Sequence, residues 1–250
     1  MNKIALLPIK GVITSERSPL GGMGMTSSVE IAQLLGEIRG KRGIKALILE
    51  INSPGGSPYA CKEIAEALKS VGKPVVAWLK EVAASGAYWI ASAADVIVAD
   101  SMSTIGSVGV TSIRPDFSKL LNKLGIDMDV VASGAHKTFS LPFKALTPEE
   151  KHEDRQLRQE EIEIIQRSFL AEVKGSRHLT EEAAEQISSG KIYLGEQAKS
   201  LGLIDEFGGR EKVFEIAAKQ ADITRYGIVD YTKKLEKHRR KLLARLLDFF

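Results

Sequence analysis

A single cysteine, Cys61, occurs in 250 residues. An internal disulfide and a cysteine-rich metal site are therefore excluded. The free thiol suits a reducing compartment and reads as a small core residue on a helix. Histidine is also scarce. His136, His152, His178 and His238 are the whole set, and none is grouped with acidic residues at metal-ligand spacing, so neither a metal nor another cofactor is expected. Long hydrophobic runs are missing. No uncharged stretch is longer than the 13 residues 82–94, which fall short of the roughly 20 residues that cross a bilayer. The apolar run at residues 4–9 is too short for the core of a signal peptide. There is no Gly-x-x-x-x-Gly-Lys-Ser/Thr pattern, which argues against a nucleotide-phosphate loop.

An excess of one sign of charge is nearly absent as well. Thirty-five basic and 32 acidic residues leave +3. Residues 231–250 hold seven Lys/Arg and two Asp/Glu, which leaves the rest of the chain at −2. A near-neutral body does not fit a nucleic-acid binder. In the tail, Leu235, Leu242, Leu243, Leu246, Leu247 and Phe250 form a helical stripe opposite basic residues. That pattern fits an amphipathic helix on an anionic membrane surface, or one packed on a neighbouring subunit. The expected location is cytoplasmic or peripheral to a membrane.

What is present is an ordinary globular composition, with 44% apolar and 27% charged residues. Strands are expected at residues 4–9, 44–51, 74–79, 96–99, 106–110 and 128–132. Helices are expected after Ser27, which with Glu30 makes a capping box, and after Gly56, Ser85 and Phe117. Beyond Pro148 the chain reads as helical, over 149–175, 180–188, 195–201 and 210–221. An α/β fold of repeated strand–turn–helix units with a mainly helical C-terminal part follows. One domain is expected over 1–222, with its α/β part at about 1–140 and its helical part at 148–222. The basic tail takes 223–250.

Three loops carry chemistry. Ser53-Pro54-Gly55-Gly56 follows a buried strand, and its glycine amides suit an oxyanion pocket or a plain strand-to-helix turn. Ala83-Ala84-Ser85-Gly86-Ala87 puts a serine at the start of a small-residue helix, as nucleophile or as N-cap. Ser133-Gly134-Ala135-His136-Lys137 brings a lysine after the expected strand at 128–132. A lysine deprived of water gives up its proton and serves as general base for a serine hydroxyl. On the surface it is only a solvated cation. His136 offers an alternative Ser-His-Asp arrangement.

These segments resemble the signal peptide peptidase A (protease IV) family of serine peptidases. The resemblance rests on Asn52-Ser53-Pro54-Gly55-Gly56, Ala84-Ser85-Gly86-Ala87-Tyr88, Ile105-Gly106-Ser107-Val108-Gly109-Val110 and Ser133-Gly134-Ala135-His136-Lys137. It continues through Leu194-Gly195-Glu196-Gln197-Ala198 and Gly202-Leu203-Ile204-Asp205-Glu206-Phe207-Gly208-Gly209, in order, over about residues 3–220. It implies a ClpP/crotonase-like fold and a Ser-Lys dyad. Ser85 would be the nucleophile and Lys137 the general base, with Ser107 hydrogen-bonding the lysine. The oxyanion donors would be the amides of Gly86, Gly55 and Gly56. It also implies a homo-oligomer and substrates such as cleaved signal peptides or other hydrophobic peptides, with no nucleic acid. Ala87 stands where the family often has glycine, Lys191 where it often has arginine, and the family's N-terminal anchor is not visible. A crotonase-type acyl-CoA enzyme, or a non-catalytic membrane scaffold, is the alternative class.

Overall fold

The computed structural model describes residues 1–16 and 24–235. The residues of the basic tail from 236 onward, including most of its apolar stripe, lie outside that description. Two compact units are present, Met1–Gly109 with Phe169–Phe250, and Val110–Ser168.

The first unit is built on a mainly parallel sheet, in which β7 (Thr104–Gly106) and β8 (Ile192–Leu194) form an antiparallel pair. Its central strands are β1 (Lys3–Lys10), β4 (Ile44–Ser53), β5 (Val75–Ala84) and β6 (Val96–Ala99). The sheet order is β10-β1-β4-β5-β6-β9, where β9 is Glu206–Phe207 and β10 is Gly227–Asp230. All these pairings are parallel. β1 is buried at six consecutive positions, as expected for a strand covered on both faces. Ile4, Leu6, Ala46, Ile48, Val76 and Val98 point to one face. There they meet Val213, Phe214 and Ala217 of α8 (Arg210–Gln220). The alternate residues Ala5, Leu7, Leu47 and Leu49 are equally buried on the other face. Each Ile, Leu, Val or Phe side chain among them stabilises the fold by about 1.5–3 kcal/mol relative to exposure.

The helices form where caps permit. α1 (Ser28–Gly40) is capped by the Ser27 hydroxyl, which accepts the Glu30 amide. α2 (Pro58–Lys69) is capped by Ser57 and has proline in its first turn. α3 (Gly86–Ser92) is short and entirely buried. A small parallel pair joins β2 (Val12–Thr14) to β3 (Met25–Ser27).

Two of the expected strands do not form where the sequence put them. The expected strand at 106–110 is displaced to β7 (Thr104–Gly106), and Ser107 already turns away with φ 51°. The expected strand at 128–132 does not form, and those residues are irregular and mostly exposed. Their β-branched and apolar character satisfied the strand pattern, but no neighbouring strand receives them. Conversely, β10 falls inside the expected tail, where Gly227–Asp230 pairs with β1.

The second unit contains α4 (Ser118–Lys123), a 3-10 turn (Ala135–Thr138) and the beginning of α5 (Pro148–Arg177). Side-chain bonds hold its irregular segments. The guanidinium of Arg114 donates to the carbonyls of Phe139, Leu141 (3.0 Å) and Lys144 (3.1 Å). Asp116 accepts the amide and hydroxyl of Ser118, which hold its carboxyl below the usual range. Among the described residues, no helix is long and apolar enough to cross a membrane.

Candidate active site

Strand pairing decides where the serines stand. β5 and β7 run parallel, with Ala84 opposite Gly106. One step further, Ser85 and Ser107 leave the two strands side by side, and adjacent strands lie about 4.8 Å apart. The Ser85 amide donates to the Gly106 carbonyl (2.7 Å), which fixes this end of the pair. Both serines have left-handed backbone, with φ 54° at Ser85 and 51° at Ser107. Such conformations cost on the order of 1–3 kcal/mol at non-glycine residues and collect at functional sites. Ser85 forms the corner between β5 and α3, its side chain makes no capping bond, and the residue is half-buried. The corner lets the hydroxyl leave the strand without burying itself in the helix.

Against this corner lies the loop after β4. A methyl group at Gly55 would fall 2.8 Å from the Gly86 amide nitrogen and 3.0 Å from Ser85 Cβ. Gly55 also has φ 98°, so only glycine fits there without strain. The Gly55 amide is not available to a substrate, because it donates to the Ser53 hydroxyl (3.0 Å), which in turn donates to the Gly11 carbonyl (2.6 Å). Gly56 differs. It bridges Ile13 in parallel fashion, with Ile13 N–H donating to Gly55 O (2.9 Å) and Ser57 N–H to Ile13 O (2.8 Å). That pattern turns Gly56's own N–H away from Ile13. Gly86, first residue of α3, has no intrahelical acceptor for its N–H. Gly56 and Gly86 are thus the two donors left open, and Gly55 shapes the loop.

Sequence reasoning missed three supports. Asn52 fills a bulge, because Ile51 to Ser53 on β4 spans two steps while Leu79 to Ala83 on β5 spans four. Its side-chain oxygen accepts the orphaned Val82 amide (3.1 Å). Ser53 is the second. Cys61 is the third, since a methyl at Gly86 would lie 2.2 Å from its sulfur. The thiol is buried, and burial pushes its pKa up to about 12, so it is packing and not a nucleophile. A glycine-only contact beneath the helix start was not visible in the spacing.

Lys137 belongs to the second unit. It lies in the 3-10 turn Ala135–Thr138, after Gly134, whose carbonyl accepts its amide (3.1 Å). Its side chain is exposed, whereas the next residue, Thr138, is buried. Thr138 Oγ1 accepts from Lys144 Nζ (2.9 Å), which also pairs with Glu150 (2.8 Å). His136 is paired with Glu153 (2.8 Å), both half exposed, and this exposed pair gives no support to a Ser-His-Asp reading. Among the described residues, no His/Cys/Asp/Glu cluster is arranged to hold a metal ion.

The site can be set beside known proteins. Residues 67–224 match Peptidase family S49. The chain is 35% identical over 210 residues to Protease 4 of Haemophilus influenzae, covering 83% of this chain and 33% of that protein. It is 32% identical over 234 residues to the chloroplastic Serine protease SPPA of Arabidopsis thaliana, covering 89% and 33%. The chain therefore spans about a third of the length of these two relatives. Among solved structures, the 1510-N membrane-bound stomatin-specific protease bound to a substrate peptide superposes with TM-score 0.55. That match has 16% identity and covers 92% of this chain and 91% of the other. ClpP1 of Listeria monocytogenes gives 0.53 at 14% identity, covering 83% and 92%. These likenesses show the fold, which is ClpP-like. With a match over most of its length and relatives named as proteases, this chain belongs to peptidase family S49.

Proposed function

We propose that the protein is a serine endopeptidase with a Ser85–Lys137 dyad. One observation carries the reading most directly. The parallel register of β5 and β7 sets Ser85 beside Ser107 on strained corners, with the open amides of Gly56 and Gly86 alongside.

In the proposed reaction, neutral Lys137 Nζ takes the proton of the Ser85 hydroxyl as Oγ bonds to the peptide carbonyl carbon. The carbonyl oxygen becomes an oxyanion held by the Gly56 and Gly86 N–H groups, each worth about 3–4 kcal/mol in such holes. Collapse breaks the C–N bond, and the Lys137 ammonium gives its proton to the leaving amine. Water then adds to the Ser85 ester, Lys137 takes its proton, and the acid leaves as Ser85 recovers its hydrogen. Ser107 orients the lysine amine by a hydrogen bond.

A free lysine titrates near about 10.4, so a lysine base must be shielded from water. Lys137 is exposed in the single chain. The proposal therefore includes a homo-oligomer in which a neighbouring copy or bound peptide covers this residue. Hydrophobic or signal-peptide-like peptides are the proposed substrates. The basic tail is proposed to meet an anionic membrane surface. Equal sedimentation with anionic liposomes with and without residues 236–250 would contradict that role.

The test of the activity is hydrolysis of casein and of a hydrophobic fluorogenic peptide by the wild type beside Ser85→Ala. Cleavage by the wild type alone is expected. Equal turnover by both would refute Ser85 as nucleophile.

A further inference from the structure

The nucleophile corner and the oxyanion loop stand at the starts of two different helices. Gly86 opens α3, and Gly56 lies two residues before α2. The helices touch where Cys61 of α2 meets Gly86, with no room for a methyl group. A methyl at Gly86 would also fall 3.6 Å from the Gly56 nitrogen. The spacing of the two open amides therefore follows the spacing of α2 against α3.

One side chain ties the two helices together. Glu172, on the part of α5 that belongs to the first unit, accepts Lys62 Nζ of α2 on Oε1 (2.8 Å). Its Oε2 accepts Lys69 Nζ of α2 (3.2 Å) and the indole N–H of Trp89 of α3 (3.2 Å). Trp89 also stacks on Phe169, one turn before Glu172, with ring centres 4.5 Å apart and planes within 8°. Trp89 itself is buried one turn after Ser85. A carboxylate with three donors from two helices is a rigid strut, because charge-assisted hydrogen bonds are the strong ones.

Resting on the dyad reading above, we propose that Glu172 is a positioning residue for the oxyanion pocket. It holds α2 and α3 at the separation that aims the Gly56 and Gly86 amides at one oxygen atom. It touches no substrate. Its effect reaches the reaction through helix placement, so it should move kcat and leave KM alone. The distance matters because a 1 Å displacement of a catalytic group costs on the order of 10²-fold in rate.

The experiment compares wild type, Glu172→Gln, Trp89→Phe and Lys69→Met. The readouts are steady-state hydrolysis of a fluorogenic peptide, the rate of Ser85 modification by a fluorophosphonate, and thermal unfolding. Trp89→Phe removes the indole donor and keeps the ring on Phe169. Lys69→Met removes one of the two α2 partners and leaves the Lys62 and Trp89 bonds, so its loss of kcat is smaller than that of Trp89→Phe; a loss as large as that of Glu172→Gln would contradict the strut. Glu172→Gln is expected to lower kcat by about 10–100-fold, with KM within about twofold. Trp89→Phe follows in the same direction with a smaller loss, and Ser85 modification slows in parallel in both. Wild-type kcat in both Glu172→Gln and Trp89→Phe would overturn the proposal and leave the dyad standing. Loss of kcat only in proportion to the unfolded fraction would also overturn it. A wild type that neither cleaves peptide nor is modified at Ser85 would instead overturn the dyad reading, and this inference with it.

Discussion

In the first unit, backbone pairing positions the candidate residues. β5 against β7 sets Ser85 beside Ser107, and the bridge at Ile13 aims Gly56. In the second unit, Lys137 sits on a one-turn 3-10 segment, and the following stretch is held by the Arg114 guanidinium on three carbonyls. The surfaces differ too. The central strands β1, β4, β5 and β6 of the first unit are mostly buried, whereas Ile113, Leu124 and Val131 of the second are 88%, 63% and 93% exposed. Sheet hydrogen bonds are many and mutually supporting, so they fix the Ser85 corner. The segment bearing Lys137 depends on a few side chains and leaves apolar surface uncovered. On the proposed dyad, a Ser85 corner and two open amides set by the sheet thus coexist with a lysine whose shielding needs a further surface.

The sharpest break of this contrast is removal of a reacting group from either unit. Ser85→Ala and Lys137→Ala should each lower kcat by on the order of 10⁴–10⁶, with unfolding transitions that coincide with the wild type. Next comes Gly56→Ala in the backbone-built half. Its methyl would fall 1.9 Å from the Ile13 carbonyl oxygen, so the bridge to β2 must move. We expect a loss of about 10²–10³ in kcat, as for a missing oxyanion donor. Overpacking should also cost about 1–3 kcal/mol in urea unfolding. Wild-type kinetics in this variant would remove Gly56 from the pocket.

A smaller effect is expected in the side-chain-built half. Arg114→Lys keeps the charge but loses the planar fork that spans three carbonyls. About a tenfold drop in kcat is expected, without a change in the urea midpoint of the first unit. A drop in that midpoint would show that Arg114 supports the sheet instead.

The acid limb of stability sharpens the same contrast. Burial alone would raise the Glu172 pKa, but the bonds from Lys62, Trp89 and Lys69 outweigh it and hold the carboxyl below its ordinary value. A lowered pKa gives stability that is present above the unfolded value and lost as pH falls through the folded one. Glu172→Gln should therefore flatten the fall in melting temperature below about pH 4.3. An unchanged acid limb would contradict this. The smallest effect concerns Cys61. Its raised pKa places the loss of stability at alkaline pH, above the unfolded thiol value near about 8.5. Native protein at pH 8 should leave this thiol unmodified by a disulfide reagent, and unfolding in urea should expose it.

Much of the first unit could be read from residue order. The run at 96–99 became β6, the Ser27–Glu30 pattern became the start of α1, and Gly40 ended that helix. β5 ran five residues past its expected end through Lys80 and Glu81, because Asn52 repairs the bulge that these residues make. Such a compensation between distant residues has no local signal. The two glycine loops announced a tight corner, but which amide stays open depends on the Ser53 hydroxyl and the Ile13 bridge. The lysine loop was legible as residues and not as a strand. Its apolar character satisfied a periodic pattern, while pairing requires a partner strand that the topology does not supply. β10 was hidden because Gly227-Ile228-Val229-Asp230 is short and gains its stability from β1.

The most direct measurement maps a fluorophosphonate adduct by peptide mass spectrometry on the wild type and on Lys137→Ala, at equal folded fraction. The account predicts one adduct, on Ser85, in the wild type, and its loss or slowing by at least about 10³-fold in the variant. Modification of Ser85 at the same rate in both proteins, or of another serine in place of Ser85, would contradict it.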